Sequence, residues 1–153
     1  MTDAPEQRTL ARNRKALHEY HVVERFEAGL VLAGPEVKSI RDGKASLTEA
    51  FARIDNGEAW LYGMHVTPYD PANRWNLDAT RRRKLLLSKR ELRRLIGATQ
   101  EKGLTLVPLD LHTKRGHIKV ELALARGKKM HDKREDVKKR DAEREMRRAM
   151  RRD

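Results

Sequence analysis

Six histidines (His18, His21, His65, His112, His117 and His131) are the residues best suited to metal or acid–base chemistry. Their spacing does not organise them. On a strand, residues three apart such as His18 and His21 point to opposite faces, and His112 and His117 flank a turn. No HExxH pattern or paired zinc-ligand spacing is present. All but His131 read as surface histidines. Ser39, Ser46 and Ser88 lie outside any nucleophile-elbow context, and Gly29, Gly34 and Gly43 are too scattered for a phosphate loop. There is no cysteine, which excludes thiol catalysis, disulfides and zinc–cysteine sites. The expectation is no catalytic residue, no metal, no cofactor and no enzyme. A nuclease would need Asp and Glu to converge in space, which the spacing does not encode.

Cations carry the stronger signal. Arg81-Arg82-Arg83-Lys84 sets four positive charges in a row, which repel one another unless water or phosphate compensates. RNA contact is expected there, with a solvated loop as the competing reading. A second cationic block, RGKKMHDKRED at 126–136, follows a run whose even positions from Ile118 to Leu124 are apolar. Residues 126–153 hold 13 Lys and Arg against 7 Asp and Glu, half of the chain's net charge of +12. Within this tail Glu135–Lys139, Asp136–Arg140 and Glu143–Arg147 are acid-then-base pairs at i,i+4, the order that supports a helix. Ala142, Met146, Ala149 and Met150 form an apolar stripe too thin to bury. A helix of this length is marginal alone, so a tail disordered when free and helical when bound is expected. A membrane-surface helix would call for Trp, Phe or Leu on that stripe.

Short elements must position these groups. Residues 1–17 are polar and read as a flexible arm. His18 to Phe26 reads as a strand, Glu27-Ala28-Gly29 as a turn, and Leu30 to Leu32 as its return. Gly34 to Arg41 reads as one or two helical turns, with Pro35 at the start and Glu36 and Arg41 suiting the dipole. Ser46 to Ile54 and Glu58 to Val66 flank Asn56-Gly57, a hairpin signal. Residues from Pro68 to Thr80 are loop-like. Ser88 and Glu91 form a capping box, followed by Leu92, Leu95 and Ile96 at helical spacing. Leu104 to His112 and His117 to Ala125 make a last hairpin, where Pro108 implies an edge or a bulge. About six short strands would expose their edges unless they close. The fold expected is mainly β with short helices, an OB-like closed antiparallel β-barrel of about six strands. Its divisions are an arm (1–17), a barrel (18–125) and a basic tail (126–153).

At 153 residues the chain suits one domain. Its 38% charged residues and positive net charge point to a polyanion, RNA first. The first 15 residues lack an apolar signal core, and no run approaches the roughly 18 apolar residues of a membrane span. A cytoplasmic monomer is expected, without membrane contact.

Three blocks then resemble one family. They are Glu27-Ala28-Gly29-Leu30-x-Leu32-x-Gly34-x-Glu36-Val37-Lys38-Ser39-Ile40-Arg41-x-Gly43, Arg83-Lys84-Leu85-Leu86-Leu87, and Gly127-Lys128-Lys129-x-His131-Asp132-Lys133-Arg134. Together they are similar to the signature of the SsrA-binding protein (SmpB) family, in the right order across residues 13–134. The pattern departs at Pro35, Ala79 and Ala142.

The resemblance implies an OB-type barrel that binds transfer-messenger RNA (tmRNA) at its tRNA-like domain. It implies delivery to stalled ribosomes for trans-translation, with elongation factor Tu and alanyl-tmRNA as partners. Glu27, Leu86 and Lys119 fall on tmRNA-contacting positions, with Tyr20, Arg83 and Lys84 beside them. The tail would lie in the decoding centre and mRNA channel of the small ribosomal subunit. Arg126, Lys128, Lys129, Lys133 and Arg134 would meet RNA phosphates, and His131, next to Asp132, would stack on a base. Met150 falls near apolar tail positions. A general ribosomal-RNA-binding or ribosome-assembly protein is the alternative.

Overall fold

The structure is a computed structural model that describes residues 7–68, 78–101, 103–128 and 130–151. Its order is β1 (Gln7–Arg12), α1 (Arg14–Glu19), β2 (Tyr20–Leu30), α2 (Gly34–Arg41), β3 (Ala45–Ser46), β4 (Phe51–Asp55), β5 (Glu58–Tyr62), β6 (His65–Val66), β7 (Arg83–Leu86), α3 (Lys89–Thr99), β8 (Leu104–Lys114), β9 (His117–Gly127) and α4 (Met130–Arg151).

Six strands close into a ring, β8-β4-β5-β7-β2-β9 and back to β8, all antiparallel. This is the expected closure of a mainly β chain, and it leaves few open edges. Three seams are short, and β5 meets β7 only at Trp60–Lys84 and Leu61–Arg83. β2 meets β7 at Gly29–Leu86 and Leu30–Leu85, and β4 meets β8 at Ala52–Leu106. Inside the ring Leu61, Leu85, Leu106, Leu111, Val120, Leu122 and Leu124 form one core, to which α2 adds Ile40 and α3 adds Leu95.

Local chemistry explains most boundaries. Asn56 and Gly57 both take positive φ (52° and 75°) and turn β4 into β5, as tight hairpins require. The Ser88 hydroxyl accepts from the Glu91 amide at 3.1 Å, while the Glu91 carboxylate accepts from the Ser88 amide at 3.2 Å. Pro108 sits at a bulge in the β8–β9 ladder, between Pro108 and Asp110. Its carbonyl accepts from Asn13 Nδ2 at 3.0 Å.

That bond belongs to a segment read as a flexible arm. Residues 7–12 instead pair with β8, and Asn13 caps α1 by accepting from the Ala16 amide. Ala16 then packs on Val107, Leu109, Ala123 and Ala125, a second small core on the outer face of the sheet. Alanines at 123 and 125 let the helix lie close.

Two further expectations are corrected. Glu27-Ala28-Gly29 is no turn: β2 runs straight through it for eleven residues. β9 extends to Gly127, so Arg126 is a strand residue rather than part of the tail. The tail itself is helical over Met130–Arg151 in the chain alone, with Arg134 and residues 137–150 exposed. Most of the loop read at 68–80 lies outside the described residues.

Candidate nucleic-acid interface

β2, β7 and β9 bring three of the expected contacts to one place. Gly29 pairs with Leu86 on one side and with Lys119 on the other. A Cβ on Gly29 would lie 3.3 Å from Leu86 Cβ and 3.6 Å from Lys119 Nζ, so glycine is what lets these side chains close over the strand. Leu86 is 50% exposed. The three residues line a concavity of about 270 Å³ with Val37, Arg41 and His117.

Glu27 stands two residues from Gly29 on the same face. Its carboxylate is held from below. His112 is 2% exposed; it donates from Nε2 to Glu27 Oε2 at 2.9 Å and from Nδ1 to Asp110 Oδ1 at 2.7 Å. Lys114 adds a bond to Glu27 Oε1 at 3.2 Å. Burial works against the charged imidazole, but bonds to Asp110 and Glu27 outweigh it and raise the His112 pKa. The His112 bond is the main reason the Glu27 pKa is lowered; slight burial opposes it and Lys114 reinforces it. The result is an acid–imidazole–acid chain with one carboxylate at the surface.

The four-cation run behaves differently from expectation. Arg83 is fully buried and cannot reach RNA. It donates to Glu36 Oε2 at 2.8 Å, to the Met64 carbonyl at 2.6 Å and to the Ala79 carbonyl at 3.1 Å. Arg81 also binds Glu36. Burial alone would raise the Glu36 pKa; Arg81, the Ala33 amide and Arg83 together hold it below the usual range. Arg82 bonds Asp55 at 3.2 Å, and Lys84 pairs with Glu58 at 3.0 Å. The repulsion is therefore relieved by carboxylates of the same chain. Lys84 still shares the outer face with Leu86, because strand residues alternate.

Tyr20 is not part of this cluster. It lies seven residues from Glu27 on β2, roughly 23 Å along the strand, and packs against the small core under α1. At the other end of the chain Arg126 is exposed, near Gly103. The Lys128 amide donates to the Glu19 carbonyl at 2.8 Å, and its Nζ to the Leu17 carbonyl at 3.1 Å. A cation on the last carbonyls of α1 suits the helix end. Arg134 and Met150 (72% exposed) lie on α4 without core contact. Lys129 and the side chains of His131, Asp132 and Lys133 lie outside the described residues. Among the described residues, no helix is long and apolar enough to cross a membrane.

Comparison with known proteins closes the question of kinship. The family model described as SmpB protein matches residues 10–152. The chain belongs to the SmpB protein family. The SsrA-binding protein of Desulforudis audaxviator is 58% identical over 151 residues, 99% of this chain and 98% of the relative. That of Carboxydothermus hydrogenoformans is 57% identical over 145 residues, 95% of this chain and 97% of the relative. A solved structure, “tmRNA-SmpB: a journey to the center of the bacterial ribosome”, includes a chain 51% identical to this one. It aligns with a TM-score of 0.65 over 78% of this chain and 84% of that one.

Sequence reasoning missed two features of this SmpB-family surface. His112, expected at the surface, is buried and organises Glu27 from 85 residues away. Its place in the apolar-alternating strand Leu109-Asp110-Leu111-His112 was the available signal: Asp110 and His112 share the face opposite Leu111. The second is an outward row of aromatics on β4 and β5, Phe51, Trp60 and Tyr62, signalled by their alternating strand positions.

Proposed function

We propose that this chain binds the tRNA-like domain of tmRNA through the outer face of β2, β7 and β9, and delivers it to stalled ribosomes for trans-translation. One observation carries the reading: Leu86 and Lys119, far apart in sequence, line one concave surface built around Gly29, and Glu27 stands two residues along β2 on the same face. Each suits RNA differently. The Glu27 carboxylate accepts from base amino groups. Leu86 packs on a base or sugar. Lys119 meets phosphate as a point charge. The names of the relatives and of the solved structure support the same assignment.

The end of β9 and the basic tail then share a separate task. Arg126, Lys128, Lys129, Lys133 and Arg134 meet phosphates of small-subunit RNA, His131 stacks on a decoding-centre base, and α4 enters the mRNA channel with Met150 near its end. The segment is too polar to bury in protein because its pocket is RNA. The chain acts as a monomer in the cytoplasm beside elongation factor Tu and alanyl-tmRNA, with no chemistry or cofactor of its own.

Binding of a tRNA-like-domain transcript by Glu27→Arg tests the reading. Binding driven by charge alone would tighten with this added cation, as expected of a general ribosomal-RNA binder. Recognition by the carboxylate predicts weaker binding instead, by about tenfold, the scale of one lost base contact. Cutting the chain after Lys128 should leave transcript binding intact and abolish peptide tagging on stalled ribosomes.

A further inference from the structure

Tyr20 stands apart from the Glu27 surface, and its own surroundings point elsewhere. It lines a concavity of about 180 Å³ together with Lys15, Glu19, Thr48, Glu49, Phe51 and Thr105. Phe51 is 44% exposed. Tyr62 stacks on it, with centroids 5.3 Å apart and planes 8° from parallel. The register sets Phe51 opposite Tyr62, Arg53 opposite Trp60, and Trp60 opposite Lys84. The Arg53 guanidinium lies 4.8 Å from the Tyr62 ring centre, and that of Arg82 lies 3.9 Å from the Trp60 ring centre. The outer face of β4, β5 and β7 therefore carries three aromatic rings interleaved with guanidinium groups, and the row ends on Phe51 beside the concavity.

Core packing does not account for this row. The core of the ring is built by the opposite faces of the same strands, at Ala52, Ala59 and Leu61. An outward Phe backed by a parallel Tyr presents a flat, rigid face to whatever fills the concavity. Arg53 adds a cation beside the rings, and the chain's net charge of +12 attracts an anionic occupant and repels a cationic one. A planar, apolar-faced group on an anionic chain is the chemistry of single-stranded nucleic acid, whose bases stack on aromatic rings and on arginine planes. A duplex keeps those faces covered.

We infer that Phe51 and Tyr20 bound a slot for one unpaired RNA base, with neighbouring nucleotides laid along Tyr62, Arg53, Trp60 and Arg82. Thr48 and Thr105 supply hydroxyls that both donate and accept at a base edge. Lys15 stands at the rim for phosphate; its ion pair with Glu19, at 3.9 Å between an exposed and a half-buried side chain, is loose enough to exchange. The inference rests on the chain being an RNA binder, but it uses a different face from Glu27, Leu86 and Lys119.

The test titrates the full-length chain with an unstructured RNA hexamer of adenosine and cytidine, following the amide resonances of Thr48, Phe51 and Thr105. The tRNA-like-domain transcript is titrated separately. Phe51→Leu keeps apolar volume and removes the ring; Phe51→Tyr keeps the ring. The slot predicts that hexamer affinity at these amides falls at least about fivefold in Phe51→Leu, the lower end for losing one stacked base. It predicts near wild-type affinity in Phe51→Tyr. Equal hexamer affinity in Phe51→Leu and wild type would overturn it, as would an abasic hexamer shifting the same amides equally. Wild-type protein that binds the hexamer here but not the transcript would overturn the tRNA-like reading and uphold the slot.

Discussion

Burial decides what a charged side chain can do at the scale of single residues. Arg83 and Lys84 are neighbours in one cationic run, yet the pleat turns Arg83 inward to Glu36 and two carbonyls and leaves Lys84 outside. Removing one partner of a buried ion pair strands the other. Arg83→Ala should therefore cost about 3–5 kcal/mol in urea unfolding, while Lys84→Ala should stay within about 0.5 kcal/mol. Similar costs for the two would mean that Arg83 is not the anchor of Glu36. His112 leads to a prediction in pH. Its folded pKa lies above the ordinary value of 6.5, so its stabilisation is complete below that pH and is lost as pH rises through the raised pKa. Glu27 is lowered from 4.5, so its share is present above that value and is lost as pH falls through the lowered one. Both act together between about pH 4.5 and 6.5. The urea midpoint should fall between pH 6 and pH 9, and His112→Gln should flatten that fall. An unchanged slope in the variant would assign the pH response to other groups.

Local signals work at the scale of elements where the cause is local. Asn56-Gly57 marked the β4–β5 hairpin, Pro35 and Glu36 marked α2, and Ser88 with Glu91 marked α3; each needs only its own neighbours. Ser88→Ala should cost about 1 kcal/mol, read from thermal unfolding; no loss would mean the cap is frayed in solution. The misses have distant causes. β1 exists because β8 offers it an edge, and α1 because Pro108 and the alanines of β9 receive Asn13 and Ala16. Gly29 looked like a turn because glycine usually marks one, whereas here it clears space for Leu86 and Lys119. Leu86 and Lys119 came from family resemblance, since no periodicity could bring β7 and β9 to the two sides of β2. α4 lies at the opposite extreme from the ring. With its described residues exposed from Val137 to Met150, its helicity rests on sequence-local terms, which are marginal for 22 residues. Circular dichroism of the full chain should show a gradual helical loss below the cooperative transition of the ring. A chain cut after Lys128 should lack that loss and keep the transition.

The two halves of the positive charge act in different places at the scale of the whole molecule, and salt separates them. Residues 126–153 hold as much net charge as the other 125 residues together. If the ring grips the tRNA-like domain while the tail waits for the ribosome, binding to the isolated transcript should show the same salt dependence with or without the tail. Small ribosomal subunits should reveal the difference. Each phosphate neutralised on partly single-stranded RNA adds about −0.7 to the slope of log K against log salt. If about four tail cations are seated, the full chain should be steeper than the chain cut after Lys128 by roughly 3. Identical slopes on the subunit would place the ribosomal contact on the ring. A steeper slope already present on the free transcript would mean that the tail wraps the delivered RNA, and the division of labour between ring and tail would fail.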